Sequence, residues 1–249
     1  MLKKTFRRKI RKQMGVLTDA IETPLRVVGL DAGRRNRPDM LFIWIPKTAG
    51  SSVFALLEST LGMRKLKTFQ DAARFRNRGP VTFGHMQYLS LLQAGMVKPE
   101  FHSRAFKFAF ARNPYARIAS LYNYLTPRGL VDEPCFDRFL DSVRLRPPIG
   151  LYSKSGLSQA NPQVDWLLDL TGNLLVDRVF KVEEIDEFPR FLNETYDLKT
   201  RPLEQLNTSS AHVTTEDIIG NAERREKIND LYAVDFDLLG YKKIDTGLS

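Results

Sequence analysis

The chain is poor in the residues that make covalent or metal staples. Its 249 residues include one cysteine, Cys135, and three histidines, His85, His102 and His212. A single thiol forms no intrachain disulfide, which suits a reducing, cytoplasmic setting. One thiol and three dispersed imidazoles offer none of the spacings of a zinc site, so no metal is expected. Long apolar runs are missing as well. The stretch "MLFIWI" (40–45) falls far short of the ~20 residues that span a bilayer. The first residues are basic but lack the apolar core of a secretory signal. There is also no G-x-x-x-x-G-K-[ST] nucleotide loop with its lysine last.

Basic charge is concentrated rather than general. The net charge is +9, from 38 basic and 29 acidic residues, and Lys3, Lys4, Arg7, Arg8, Lys9, Arg11 and Lys12 supply +7 of it. The remainder is nearly neutral, which argues against a nucleic-acid-binding fold. Leu2, Phe6, Ile10 and Met14 recur four apart among these cations. Residues 1–14 therefore read either as a cationic helix that can lie on anionic lipid at the cytoplasmic face or as a solvated tail. "DAGRRNRPD" (31–39) reads as a linker. The expected organisation is an extension and linker over 1–38 and one domain over 39–245.

From Met40 the pattern becomes α/β. "MLFIWI" and "AFKFAFA" (105–111) are short, continuous apolar runs, as in buried parallel strands. "SVFALLESTLG" (52–62) puts Val53, Phe54, Leu57 and Leu61 on one helical face and closes on Gly62. "NPYARIASLYNYL" (113–125) has Asn113 as N-cap and Pro114 at the first helical position. "NPQVDWLLDLTG" (161–172) reads as a capped helix, "DRVFKVE" as a strand and "EEIDEFPRFLNET" as a short helix. A long helix is expected over about 215–239, ending at Gly240. The alternation predicts a P-loop-like parallel sheet with helices on both faces.

Two stretches carry chemistry. In "IPKTAGSSVF" (45–54) a strand enters a tight turn and then a helix, which aims several backbone N–H groups at one point and makes an anion site. Lys47 adds an ammonium, Gly50 permits close approach, and Ser51 and Ser52 offer hydroxyls. In "ARNPYARIASLYNY" (111–124) Arg112 closes a strand and Ser120 follows two helical turns on, where both can hold a second phosphate. The strand ends in a cation where an NTP-hydrolysing enzyme keeps a magnesium-binding acid. Read singly, Lys47, Arg112 and Ser120 are also compatible with a surface lysine, a structural ion pair and a helix-face serine.

Together the two stretches resemble the signatures of the sulfotransferases that use 3′-phosphoadenosine 5′-phosphosulfate (PAPS), in particular sulfotransferase family 2, the carbohydrate O-sulfotransferases. "IPKTAGSS" (Ile45–Ser52) is similar to the first signature, I-P-K-[TS]-[GA]-G-[TS]-[ST]. "RNPYARIASLY" (Arg112–Tyr122) is similar to the second, R-[ND]-P-x-x-R-x-x-S-x-[YF]. Gly84–His85 matches a G-H pair between them. "FKVEEI" (180–185) and "LYAVDFDLLGY" (231–241) are weaker echoes, and Ala49 stands where many members have glycine. The resemblance implies that Lys47, Thr48, Ala49, Gly50, Ser51 and Ser52 hold the 5′-phosphosulfate of PAPS, and that Arg112 and Ser120 hold its 3′-phosphate. It further implies that Lys47 stabilises the leaving oxygen, that His85 takes the acceptor's proton, and that no metal is used.

The acceptor implied is a hydroxyl of a carbohydrate or glycolipid. Arg74, Arg76 and Arg78, in "ARFRNRG" (73–79), read either as contacts to an anionic glycan or as a solvated edge strand. "LNTSSAH" (206–212) is a nucleotide-side loop by position alone. Two other classes use parts of the same sequence. A magnesium-dependent P-loop kinase or NTPase shares the strand–loop–helix geometry, and a basic nucleic-acid-binding module uses the tail and linker. Neither accounts for both signatures.

Overall fold

The computed structural model describes residues 37–131, 134–143, 145, 158–200, 202–203 and 212–244. The basic segment 1–14, most of the linker and nearly all of 206–212 lie outside them. The order of elements is β1 (Met40–Ile43), α1 (Gly50–Leu61), β2 (Arg64–Lys65), α2 (Phe69–Ala73), β3 (Pro80–Thr82), α3 (Tyr88–Gln93), α4 (Pro99–Arg104), β4 (Phe106–Ala111), α5 (Pro114–Leu125), α6 (Phe136–Ser142), β5 (Arg178–Lys181), α7 (Glu187–Tyr196), α8 (Thr215–Ile219), α9 (Ala222–Leu231) and α10 (Ala233–Leu238). Among the described residues no helix is long and apolar enough to cross a membrane.

All five strands run parallel in the order β2-β3-β1-β4-β5. Alternation along each strand divides the core into two layers, because successive side chains leave opposite faces. Met40, Phe42, Trp44, Phe108, Phe110 and Phe180 pack with Val53 and Leu57 of α1 and Phe188 and Leu192 of α7. Leu41, Ile43, Ile45, Ala109 and Ala111 face the other way, where these small side chains share space with Tyr88, Phe101 and Trp166. A third cluster joins α5 to α6, α8, α9 and α10 through Tyr115, Tyr122, Phe136, Ile218, Ile228 and Phe236. Helices thus cover both faces of a parallel α/β sheet.

Most of the expected elements form. Gly62 closes α1 at φ 65°, its N–H donating to Glu58 and Leu57, and the Asn113 side chain caps α5 by accepting from the Tyr115 N–H. Two expectations are corrected. Residues 161–172 make only a 3-10 turn, Gln163–Trp166. The Asp235 carboxylate takes the first-turn N–H groups of Gln163 (2.9 Å) and Val164 (3.0 Å). Asp169 then accepts from Thr171 and Asn173 at 2.8 and 2.9 Å, turning the chain so that Leu168 bridges Leu174. The long C-terminal helix is three short ones. Asn221 restarts the helix after Gly220 by capping Arg224 N–H, and Tyr232 (φ −119°, ψ 25°) leaves helical geometry where its hydroxyl reaches the Ala160 carbonyl at 2.8 Å.

Candidate active site at the C-terminal edge of the sheet

The strand order decides what meets. β1 lies between β3 and β4, so the segments that follow these three strands emerge side by side at the carboxyl edge, the usual ligand edge of parallel sheets. They carry Lys47, His85 and Arg112.

After β1 the chain turns through two left-handed residues that are not glycine, Lys47 (φ 69°) and Ala49 (φ 56°). Thr48 is fully buried and its hydroxyl donates to the Ile45 carbonyl at 3.0 Å, so this side chain ties the turn rather than facing a ligand. The Ala49 carbonyl accepts from Ser52 and Val53 N–H at 3.0 and 3.2 Å. The N–H groups of Thr48, Ala49, Gly50 and Ser51 have no partner among the described residues, and the first turn of α1 holds no acidic side chain. A row of unpaired N–H groups at a helix start is an anion cradle. Gly50 serves it differently from the sequence reading. A Cβ there would lie 1.9 Å from Trp44 Nε1, so the close approach is to the indole.

The Lys47 ammonium lies 4.0 Å from the centroid of Tyr124. Burial first, and then the charges of Arg112 and Arg128, lower its pKa to about 8. Three cations therefore converge. The Arg112 backbone is held at both ends by the Gln163 amide, at 2.8 Å each. Its guanidinium makes no hydrogen bond or ion pair among the described residues. Burial lowers the Arg112 pKa, opposed by Glu183. That carboxylate is engaged by Asn113 N–H at 2.8 Å and the Tyr241 hydroxyl at 3.0 Å. Ser120 is one turn before Tyr124 on α5 and shares its face, with no hydroxyl partner among the described residues.

His85 follows Gly84 (φ 62°) just beyond β3. Its ring nitrogen Nδ1 lies 2.7 Å from the Trp44 carbonyl. A carbonyl only accepts, so Nδ1 carries the hydrogen and Nε2 keeps a lone pair. The His85 carbonyl accepts from Trp166 Nε1 at 2.9 Å, and the imidazole stands edge-on to Trp44 at 5.5 Å. Burial pushes its pKa down to about 4 against the raising effect of the Trp44 hydrogen bond, with Lys65, Lys47 and Arg117 adding to the depression. The ring is neutral at pH 7. His102 instead pairs with the Tyr88 hydroxyl at 2.7 Å, and His212 is exposed.

Sequence reasoning missed the supports. Arg117, inside the second signature, is fully buried and donates to Pro46, Asn161 and Gln159 carbonyls at 3.1, 2.9 and 2.8 Å, bracing the turn from behind. Its position as the second arginine of R-[ND]-P-x-x-R was the available signal. Trp44, Tyr124 and Lys65 carried none. The alternate arginines are not an edge strand: Arg74 caps α2 and β3 begins at Pro80. A concavity of about 780 Å³ lined by Tyr122, Cys135, His212 and Arg224 holds none of Lys47, His85, Arg112 or Ser120. There Arg224 is already paired with Asp137, and we place the site at the sheet edge.

Residues 34–142 match the model of the Sulfotransferase family, a span that contains the turn, His85 and the Arg112–Ser120 segment. The match covers less than half of the chain, and over that span it supports assignment to the sulfotransferase family that the two signatures resemble. No curated protein matches it.

Proposed function

We propose that the protein moves a sulfuryl group from PAPS to a hydroxyl of a carbohydrate or glycolipid acceptor. The observation that carries this reading is the convergence of Lys47, Arg112 and the N–H groups of residues 48–51, which find no partner among the described residues, on one side of a neutral imidazole. The cradle of residues 47–52 holds the 5′-phosphosulfate, through backbone N–H groups and the Ser51 and Ser52 side chains. Arg112 and Ser120 hold the 3′-phosphate. His85 Nε2 accepts the proton of the attacking hydroxyl as its oxygen bonds to sulfur. In the same displacement the bond from sulfur to the bridging phosphate oxygen breaks, and Lys47 stabilises the charge left on that oxygen. Catalysis is then positioning and charge stabilisation. The departing 3′-phosphoadenosine 5′-phosphate is already a stable anion, so the reaction calls for no metal.

Calorimetric titration without metal, comparing 3′-phosphoadenosine 5′-phosphate with AMP and Mg-ATP, tests the reading. Tight binding of the bisphosphate alone, lost in Arg112→Ala, supports it. Binding of Mg-ATP alone, or equal binding of all three, overturns it in favour of a P-loop kinase.

A further inference from the structure

Besides Lys47, Arg112 and Arg128, the sheet edge holds a further cation. Lys65 ends β2, two strands from β1 on the side away from Arg112, at the same carboxyl edge. Its ammonium lies 3.4 Å from the centroid of Trp44 and 5.4 Å from that of Phe54. Trp44 in turn stands 5.5 Å from the His85 imidazole. With the 3.4 and 5.5 Å contacts in series, ammonium and imidazole are at most about 10 Å apart, roughly one Debye length. The Lys65 ammonium makes no hydrogen bond or ion pair among the described residues. Burial and the neighbouring Lys67 lower its pKa to about 8, and Glu58 opposes them more weakly.

An ammonium that served only the fold would pair with a carboxylate or extend into water. This one is half withdrawn from solvent, held on an aromatic shelf beside a second ammonium, Lys67, that Glu58 only partly offsets, an arrangement that an incoming anion relieves. The donor's phosphates do not supply that anion, because they are held on the β1–β4 side by Lys47 and Arg112. On the β2 side of His85 stands the acceptor. With a hydrogen bond of about 2.7–3.0 Å at each end, the ~10 Å ceiling on that separation allows the hydroxyl and an anionic substituent to lie no more than about 4 Å apart, which places both on one sugar. The exposed Lys67, two residues beyond β2, adds positive charge at the same end.

Building on the sulfotransferase reading, we propose that Lys65 anchors a carboxylate or sulfate ester of the acceptor beside the hydroxyl to be sulfated, and so selects acidic sugars over neutral ones. The test uses the full chain saturated with 3′-phosphoadenosine 5′-phosphate. Glucuronate, glucose 6-sulfate and glucose are titrated at constant ionic strength and followed by saturation-transfer NMR on the sugar. Saturable binding of one or both anionic sugars, at least tenfold tighter than glucose, is expected. Whichever of the two binds identifies the group. Lys65→Gln abolishes the preference, Lys65→Arg keeps it, and the bisphosphate affinity of both variants stays within twofold of the parent. Equal binding of glucose, or a preference that survives Lys65→Gln, overturns the proposal. So does a Lys65→Gln protein that loses bisphosphate and all sugars alike, since that marks a structural lysine. A parent chain that fails to bind the bisphosphate is recognised before any sugar is added, and defeats the sulfotransferase reading instead.

Discussion

Exchanging two neighbours, Gly50→Ala and Ala49→Gly, should move stability in opposite directions, each against the ordinary rule for helices. At Gly50 an added Cβ would meet Trp44 Nε1 at 1.9 Å, Cδ1 at 2.3 Å and Cε2 at 2.5 Å. Comfortable carbon contacts begin at about 3.5 Å, so the indole must retreat by roughly 1.5 Å. It has little room to do so. Phe42 and Phe54 stack on it at 5.8 and 5.7 Å, and its carbonyl holds His85. Overpacking of this kind costs about 1–3 kcal/mol, and alanine's helix preference returns only a fraction of its interior value of ~1 kcal/mol at the first turn. A net loss of about 2 kcal/mol lowers Tm by roughly 4–8 °C in a chain of this size.

Ala49 sits at φ 56°, ψ 14°, a left-handed geometry that costs a residue with a Cβ about 1–2 kcal/mol. Glycine removes that cost and adds about 0.4–1 kcal/mol of unfolded-chain freedom, leaving a net gain of roughly 0.5–1 kcal/mol. Thermal and urea denaturation with unchanged m-values read both effects. Bisphosphate titration should show at least tenfold weaker binding for Gly50→Ala and no loss for Ala49→Gly. A Gly50→Ala protein as stable as its parent, or an Ala49→Gly protein destabilised by ~1 kcal/mol, would refute this account of the turn.

Binding of the bisphosphate brings negative charge to a Lys47 whose pKa is depressed to about 8, so binding raises that pKa and takes up a proton. Calorimetry at pH 8–9 in buffers of different ionisation enthalpy should register the uptake in the parent and not in Lys47→Met; equal uptake in both would remove Lys47 from the anion site. In kcat/KM the depressed values place the alkaline limb near pH 8, where Lys47 loses its charge, and the acid limb near pH 4, where His85 gains one. Stability should fall as pH drops from the ordinary histidine range toward 4, because the unfolded chain takes up the His85 proton first. Arg117→Met strands three carbonyls, at a cost of roughly 1–3 kcal/mol each when buried. Because Pro46 is among them, bisphosphate affinity should fall together with Tm, and a protein that loses stability but keeps affinity would show that the brace does not position the turn.

What was legible in the sequence is what the backbone does over a few consecutive residues. The strand–turn–helix of 40–61, the cap at Asn113 and the stop at Gly62 are local, and one periodicity with one special residue specifies each. The same locality misled at 161–172 and 215–239. The apolar spacing there is compatible with continuous helix, but the carboxylate of Asp235, about seventy residues away in the chain, takes the first-turn donors of one segment, and Asn221 restarts the other. The role of Gly50 was misassigned for a related reason. Sequence shows that a small residue is needed beside the anion loop, while the indole that excludes a Cβ comes from the strand before it.

The site's composition depends on strand order, which no local pattern encodes. Neighbouring parallel strands lie about 4.8 Å apart, so with β1 between β3 and β4 a single ammonium on the β1 turn can act on both flanking ends. Lys47 does so, since it depresses His85 on one side and is itself depressed by Arg112 on the other. Were β1 at the sheet's edge, one of those partners would move at least one more strand away, and the neutral imidazole and Arg112 could not share the same lysine. The two signatures are contiguous because each is a turn leaving one strand. Their juxtaposition, and the inclusion of Trp44 and Lys65 from the same edge, follow from the crossover that returns β3 to the outer side of β1.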